Sequence, residues 1–180
     1  MIEQIKKFQA FLVELGVARN VLALPAPRML AIEDHTSDDS SGTTIFSHSV
    51  VEPEIVNVSR DLFASGHYNL AVSNAFLALD KLVAERSGLN QSGTTLMDQA
   101  FSPAKPKLRW SNRITQSEKD EQRGYHQIYS GSMLGIRNPT THEFDWVDSP
   151  ELALELLMLA QHLVRKAKLA VTEQTKPTTA

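Results

Sequence analysis

The densest set of chemistry-bearing residues in this 180-residue chain is Gly135-Ile136-Arg137-Asn138-Pro139-Thr140-Thr141-His142-Glu143. Arg137 offers a permanent, planar charge suited to phosphate oxygens. His142 can take up or release a proton near neutral pH. Asn138, followed by a proline, offers an amide that can orient either partner. Arginine and histidine without a metal are a sufficient kit for cutting RNA. The histidine acts on the 2′-hydroxyl or on the leaving oxygen, while the arginine offsets the charge that develops at phosphorus. RNA brings its own nucleophile, the 2′-hydroxyl, which DNA lacks.

The spacing alone is not selective. An arginine followed by a histidine after four to six intervening residues occurs three times, as Arg137/His142, Arg28/His35 and Arg60/His67. The Arg28 pair lies around a proline-rich break, and the Arg60 pair straddles a corner between two expected helices. Only the Arg137 pair combines an Asn-Pro step, a helix end and a glycine-bearing helix. Residue types alone still leave His142 open to being a surface histidine and Arg137 an ion-pair partner of Glu143 or Asp145. Glu143 suits orienting His142 as well as it suits capping the backbone. Tyr125 and Tyr129, one turn apart, fit a core first and a base-stacking platform second. Lys105, Lys107, Arg109 and Arg113 flank Trp110 in an expected loop; such a segment fits a grip on single-stranded RNA or a merely solvated loop.

Other chemistries lose ground by elimination. With no cysteine, the chain can hold no disulfide, thiolate zinc site or cysteine nucleophile. It carries neither standard glycine-rich phosphate loop, and no HExxH, GxSxG or EF-hand pattern. The six histidines are scattered; a two-histidine metal site from His126 and His142 has no carboxylate pairing behind it. No cofactor and no metal are expected. A 42% hydrophobic, 22% charged composition is that of an ordinary globular protein. No apolar run approaches the roughly 20 residues of a membrane span, and Glu3 and Glu14 interrupt the first apolar stretch as a secretory signal would not. The expected compartment is the cytoplasm. A net charge of −3 speaks against a nucleic-acid partner, but its distribution does not. Residues 1–90 hold 7 basic against 11 acidic side chains, whereas residues 91–180 hold 11 against 10, and the candidate site lies in that second half.

The elements that must position these residues read as helices. Ile2, Ile5, Phe8, Leu12 and Leu15 predict a short amphipathic helix ended by Gly16. From Asn20 to about Ser49, Pro25, Pro27 and the polar run HTSDDSSGTT predict a linker or long loop. Residues 1–45 therefore form an N-terminal appendage, 46–172 the main helical domain, and 173–180 a disordered tail. Within the main domain, helices are expected over 52–64 with Pro53 in the first turn, over 67–86 with Gly88 closing it, over 118–137 capped by Ser117 with Asp120 in the box position, and over 150–171 capped by Ser149. Thr95 with Asp98 suits a cap for one short turn through Phe101, and residues 102–114 read as loop. Asn138, preceding Pro139, is expected to leave the helical region and end its helix. Leu152, Leu156, Leu159 and Leu163, with Ala153, Ala160 and Ala167 beside them, predict the core stripe of the last helix. No run is long enough for a sheet. Gly124, Gly131 and Gly135 share one helix face, each costing about 1 kcal/mol against alanine. They imply another backbone close by, either within the bundle or across a dimer.

Three runs then carry a resemblance: SGHYNLAVSNAFLALDKLV (65–83), SGLNQSGTTLMDQAFSPAKPKL (87–108) and SEKDEQRGYHQIYSGSMLGIRNPTTHE (117–143). In this order they resemble the Ymh-type family within the HEPN superfamily over about residues 50–172. The resemblance implies an all-α bundle of four to five helices that forms a homodimer, here with an N-terminal helical appendage. It implies a metal-independent endoribonuclease in which Arg137, Asn138 and His142 match an arginine–histidine motif with a polar residue after the arginine, assembled from two protomers in one cleft. Beside that motif, residue chemistry offers Glu143 as a support for His142 and Lys105, Lys107, Arg109 and Arg113 as an RNA grip. Such domains serve as toxins, in abortive infection and in other antiviral defence, with partner proteins of those systems. Others in the superfamily are catalytically inactive modules that bind nucleotide or a partner protein.

Overall fold

The computed structural model describes residues 40–172. The predicted helix over 2–15, most of the predicted linker, the Arg28/His35 pair and the predicted tail 173–180 lie outside the described residues. The fold is an all-α bundle. Its α-helices are α1 (Ser40–Ser49), α2 (Pro53–Ala64), α3 (Tyr68–Ser87), α4 (Gly93–Ala100), α5 (Gln116–Ser132), α6 (Asn138–His142) and α7 (Pro150–Leu169). A π-helical turn, Met133–Arg137, joins α5 to α6, and two-residue strands β1 (Leu108–Arg109) and β2 (Val171–Thr172) pair antiparallel.

Helix α3 packs against α2 on one side and α7 on another. It buries Ala71, Val72, Ala75, Phe76, Leu79 and Val83, a helical stripe with alanines where neighbours come close. Helix α7 answers with Ala153, Leu157, Ala160, Leu163, Val164 and Ala167. Leu163, Ala153, Ala160 and Ala167 of the predicted stripe are buried, but Leu152 is exposed and Leu156 and Leu159 only partly buried. Each fully buried leucine or phenylalanine contributes about 1.5–3 kcal/mol of transfer free energy. Gly88 ends α3 in the left-handed region, φ +69°, with its N–H on the Ala84 carbonyl.

Four local expectations change. The polar run around 40–45 is not loop but the start of α1, anchored by Phe46 and Val50 in the core. The turn from α1 to α2 is satisfied by Gln161 of α7, whose Oε1 accepts from Val51 and Glu52 N–H and whose Nε2 donates to the Ser49 carbonyl. Helix α5 is capped by Thr115 rather than Ser117: the Thr115 hydroxyl accepts the Glu118 N–H at 3.2 Å, and Glu118 accepts from Thr115 and Ile114 N–H. Those backbone donors, Thr115 first, hold the Glu118 carboxyl below its usual range. Helix α4 follows Ser92, whose side chain makes no cap; its first N–H, from Gly93, goes instead to Asp80 Oδ1 at 2.7 Å. Last, the predicted loop 102–114 carries β1, which ties it to the end of α7.

Candidate functional site

The helix bearing the motif does not stop at Asn138. Asn138 remains helical (φ −62°, ψ −51°), and its N–H bonds the Met133 carbonyl, five residues back. The cause is Pro139, which lacks an N–H and whose ring would strike the Gly135 carbonyl in a regular helix. One widened π turn swings that carbonyl aside and lets the chain continue as α6. The hydroxyls of the two threonines that follow take up carbonyls around the turn: Thr140 donates to Ile136 and Arg137, and Thr141 donates to Arg137 at 2.7 Å. Asn69, in the first turn of α3, closes the far end by donating to the Thr140 and Glu143 carbonyls at 3.0 and 2.9 Å.

Arg137 and His142 are five residues apart, about 140° around a regular helix, and the structure sends them to different sides. Arg137 turns toward α3 and α4, its Nη2 3.8 Å from Asp80 Oδ2. Asp80 is 5% exposed and shares its other oxygen with the Gly93 N–H. Gly93 has φ +62°, and a Cβ placed there would stand 3.5 Å from Arg137 Nη1. Residue type alone missed Asp80, although an acid inside an apolar helical stripe is a readable signal.

His142 lies exposed at the end of α6 and lines a groove of about 560 Å³. Another wall is the corner before α3 and its first turn, from Gly66 through His67 to Leu70. The groove continues over Glu143, Phe144, Asp145 and Asp148. Among the described residues, no hydrogen bond or ion pair engages the His142 imidazole or the Glu143 carboxylate; Glu143 contributes its backbone carbonyl to Asn69. Asn138 is half-buried at the start of α6. His67, the histidine of the Arg60 pair, thus shares a groove with His142, whereas Arg60 is exposed on α2. Phe144 and Trp146, 94% and 52% exposed, were also missed. The alternation of acids and rings in Glu143-Phe144-Asp145-Trp146, with no helical period, was their signal.

The predicted RNA-binding loop is arranged differently from expectation. Lys105 and Lys107 are exposed. Arg109 donates to the Ser111 carbonyl and to Asn112 Oδ1 at 2.6 Å, and Arg113 donates to the Pro103 carbonyl at 2.6 Å. Trp110 is no free platform: its ring stacks on Phe101 and Tyr129, and its Nε1 donates to the Lys166 carbonyl at 2.7 Å. Tyr129 is fully buried, donating to the Leu163 carbonyl, and burial pushes its phenol above its usual range. Tyr125 shares a hydrogen bond with His162 at 2.9 Å. Tyr129 therefore belongs to the packed interior, and Tyr125, partly buried, packs against it.

His126 lies 3.1 Å from Asp98, and among the described residues no three His, Asp or Glu side chains are placed to hold an ion. No helix among them is long and apolar enough to cross a membrane. Gly124, Gly131 and Gly135 have no neighbouring atom within 4 Å of where a Cβ would stand, so the close backbone expected inside the bundle is absent among the described residues. Their helix also leaves Ile128 and Leu134 exposed, at 46% and 64%.

No curated protein and no solved structure matches the chain. The model of the Hypoth_Ymh family, described as a protein of unknown function, matches residues 49–167, from the end of α1 into the last turn of α7 and across the whole Arg137–His142 segment. The chain belongs to the Hypoth_Ymh family.

Proposed function

We propose that the protein is a homodimeric, metal-independent endoribonuclease of the HEPN type, acting in the cytoplasm as a toxin or antiviral effector. The observation that carries this reading is the divergence of the motif. The π turn and α6 together hold an unbonded, exposed His142 on one side and an Arg137 paired with buried Asp80 on the other. A second copy laid along the uncovered face of Gly131, Leu134 and Gly135 would bring two such segments into one cleft. There a histidine takes the proton from the 2′-hydroxyl, the 2′-oxygen attacks phosphorus, and the P–O5′ bond breaks as a protonated histidine gives the 5′-oxygen its proton. Arginine stabilises the charge on the non-bridging oxygens. The products are a 2′,3′-cyclic phosphate and a 5′-hydroxyl.

The test is cleavage of single-stranded RNA in EDTA by the wild type, Arg137→Ala and His142→Ala, with growth of cells expressing each. Loss of cleavage by about 100-fold or more in either variant is expected from losing a proton-transfer or charge-stabilising group. Growth arrest by the wild type alone would agree. Equal behaviour of all three, with no RNA cut, would sink the reading. One observation favours a catalytically inactive module binding nucleotide or a partner protein: Arg137 already has a buried carboxylate beside it, as a purely structural arginine would.

A further inference from the structure

We propose that the groove beside His142 docks a partner protein, and that its occupant is an extended segment carrying arginine or lysine side chains. The groove has the charge and surface for it. Glu143, Asp145 and Asp148 line it, no lysine or arginine does, and among the described residues none of the three carboxylates is in an ion pair. Phe144 stands 94% exposed in the same groove, and Trp146 is 52% exposed two residues on. An isolated exposed ring is unremarkable, but two rings alternating with carboxylates form a surface that a cation recognises twice. The carboxylate meets its charge, and the ring face meets its ammonium or guanidinium together with the apolar stem.

The groove is also prepared in advance. The Asn69 amide pins the carbonyls of Thr140 and Glu143, so the wall bearing His142 is braced against α3 without an occupant. Binding then requires little ordering of the receptor. The same three carboxylates favour a cation over a phosphate in the part of the groove that continues beyond His142. An occupant would cover His142. If the cleavage reading holds, a basic partner segment is therefore an inhibitor of the enzyme; the binding itself does not depend on that reading.

The test uses the full chain and a short peptide of alternating arginine and alanine, followed by calorimetry and by tryptophan fluorescence. Saturable binding is expected, weakening with salt, with a fluorescence change that disappears in Trp146→Phe. Glu143→Gln, Asp145→Asn and Asp148→Asn combined should weaken binding by about tenfold or more, as should Phe144→Ala with Trp146→Ala. Glu85→Gln, an exposed acid at the other end of α3, should leave it unchanged. A glutamate-alanine peptide should not bind. Wild-type affinity in the charge-neutralised variant overturns the proposal. So does a single-stranded RNA that displaces the peptide and needs Phe144 and Trp146, which would make the groove an RNA platform. A free protein whose dimer is lost in Trp146→Ala, with no peptide bound by the wild type, assigns the groove to a second copy instead. No RNA cleavage enters the binding measurement, so failure here and failure of the ribonuclease reading are told apart.

Discussion

Trp110 and Trp146 are the chain's two tryptophans, and each sits among acids and other rings. At Trp110 every group has found a partner. The indole stacks on Phe101 and Tyr129, its N–H reaches the Lys166 carbonyl, and the Lys166 ammonium lies 5.0 Å over the ring while pairing with Glu121. Further along α7, Glu52 and Glu54 hold Lys168, and Glu52 also holds Arg165. At Trp146 the same residue types stand open: the ring is half in water, Phe144 almost wholly so, and three carboxylates have no ion pair among the described residues. One end of the bundle has spent its aromatic and charged residues on folding, and the other has kept them available. The lesson is that composition names the ingredients of a site, whereas only their satisfaction by neighbours tells whether they remain free to bind.

The largest effect that would test this contrast is truncation of the two rings. Trp110→Ala should cost about 2–4 kcal/mol of stability in denaturant unfolding, since it removes a partly buried ring stacked on Phe101 and Tyr129. Trp146→Ala should stay within about 0.5 kcal/mol, as exposed substitutions do. Comparable losses would erase the distinction. Next comes the buried acid: Asp80→Ala should cost about 1–3 kcal/mol by stranding the Gly93 N–H and the Arg137 charge, whereas Glu143→Ala should be nearly silent in the same measurement. Tyr129→Phe, which removes the buried donor to Leu163, should cost about 1 kcal/mol. Tyr125→Phe, with its partner His162 exposed, should cost less.

The smallest effect concerns pH. The hydrogen bonds from Lys168, then Arg165, hold the Glu52 carboxyl below its usual value of 4.5. A group depressed in the folded state stabilises the protein above its unfolded value and loses that contribution as pH falls through the folded one. Stability should therefore decline below about pH 4.5 in part through Glu52. Glu52→Gln should flatten that limb in pH-dependent unfolding. Lys168 is raised by Glu52 and then Glu54, so its share is present below its ordinary 10.5 and lost as pH climbs past it. An unchanged acid limb in Glu52→Gln would show that the paired end is no more settled than the open one.

Much of the scaffold was legible because its signals are local. Pro53 and Pro150 mark helix starts, Ser149 accepts the Leu152 N–H, and Gly88 takes the positive φ that ends α3. Each works within one helical turn of its own residue. Thr115 and Ser117 show where local reading divides: both precede an acid by three residues, and the structure favours Thr115, where Glu118 gathers two backbone donors. The Asn138–Pro139 step predicts a break, and the chain instead absorbs it in a π turn because Thr140 and Thr141 supply hydroxyls to nearby carbonyls. The candidate site was legible as residues but not as directions.

What the sequence determined by itself is therefore the all-helical architecture, its main punctuation and the presence of an Arg137–Asn138–His142 segment, since period, caps and residue types are written along the chain. Only the tertiary structure decided that Arg137 meets Asp80, 57 positions away in sequence, while His142 opens onto the groove beside α3. It also decided that Trp110 packs against the core and Trp146 stays at the surface. Burial and partnership depend on which distant elements pack together, and no window along the chain contains both members of such a pair.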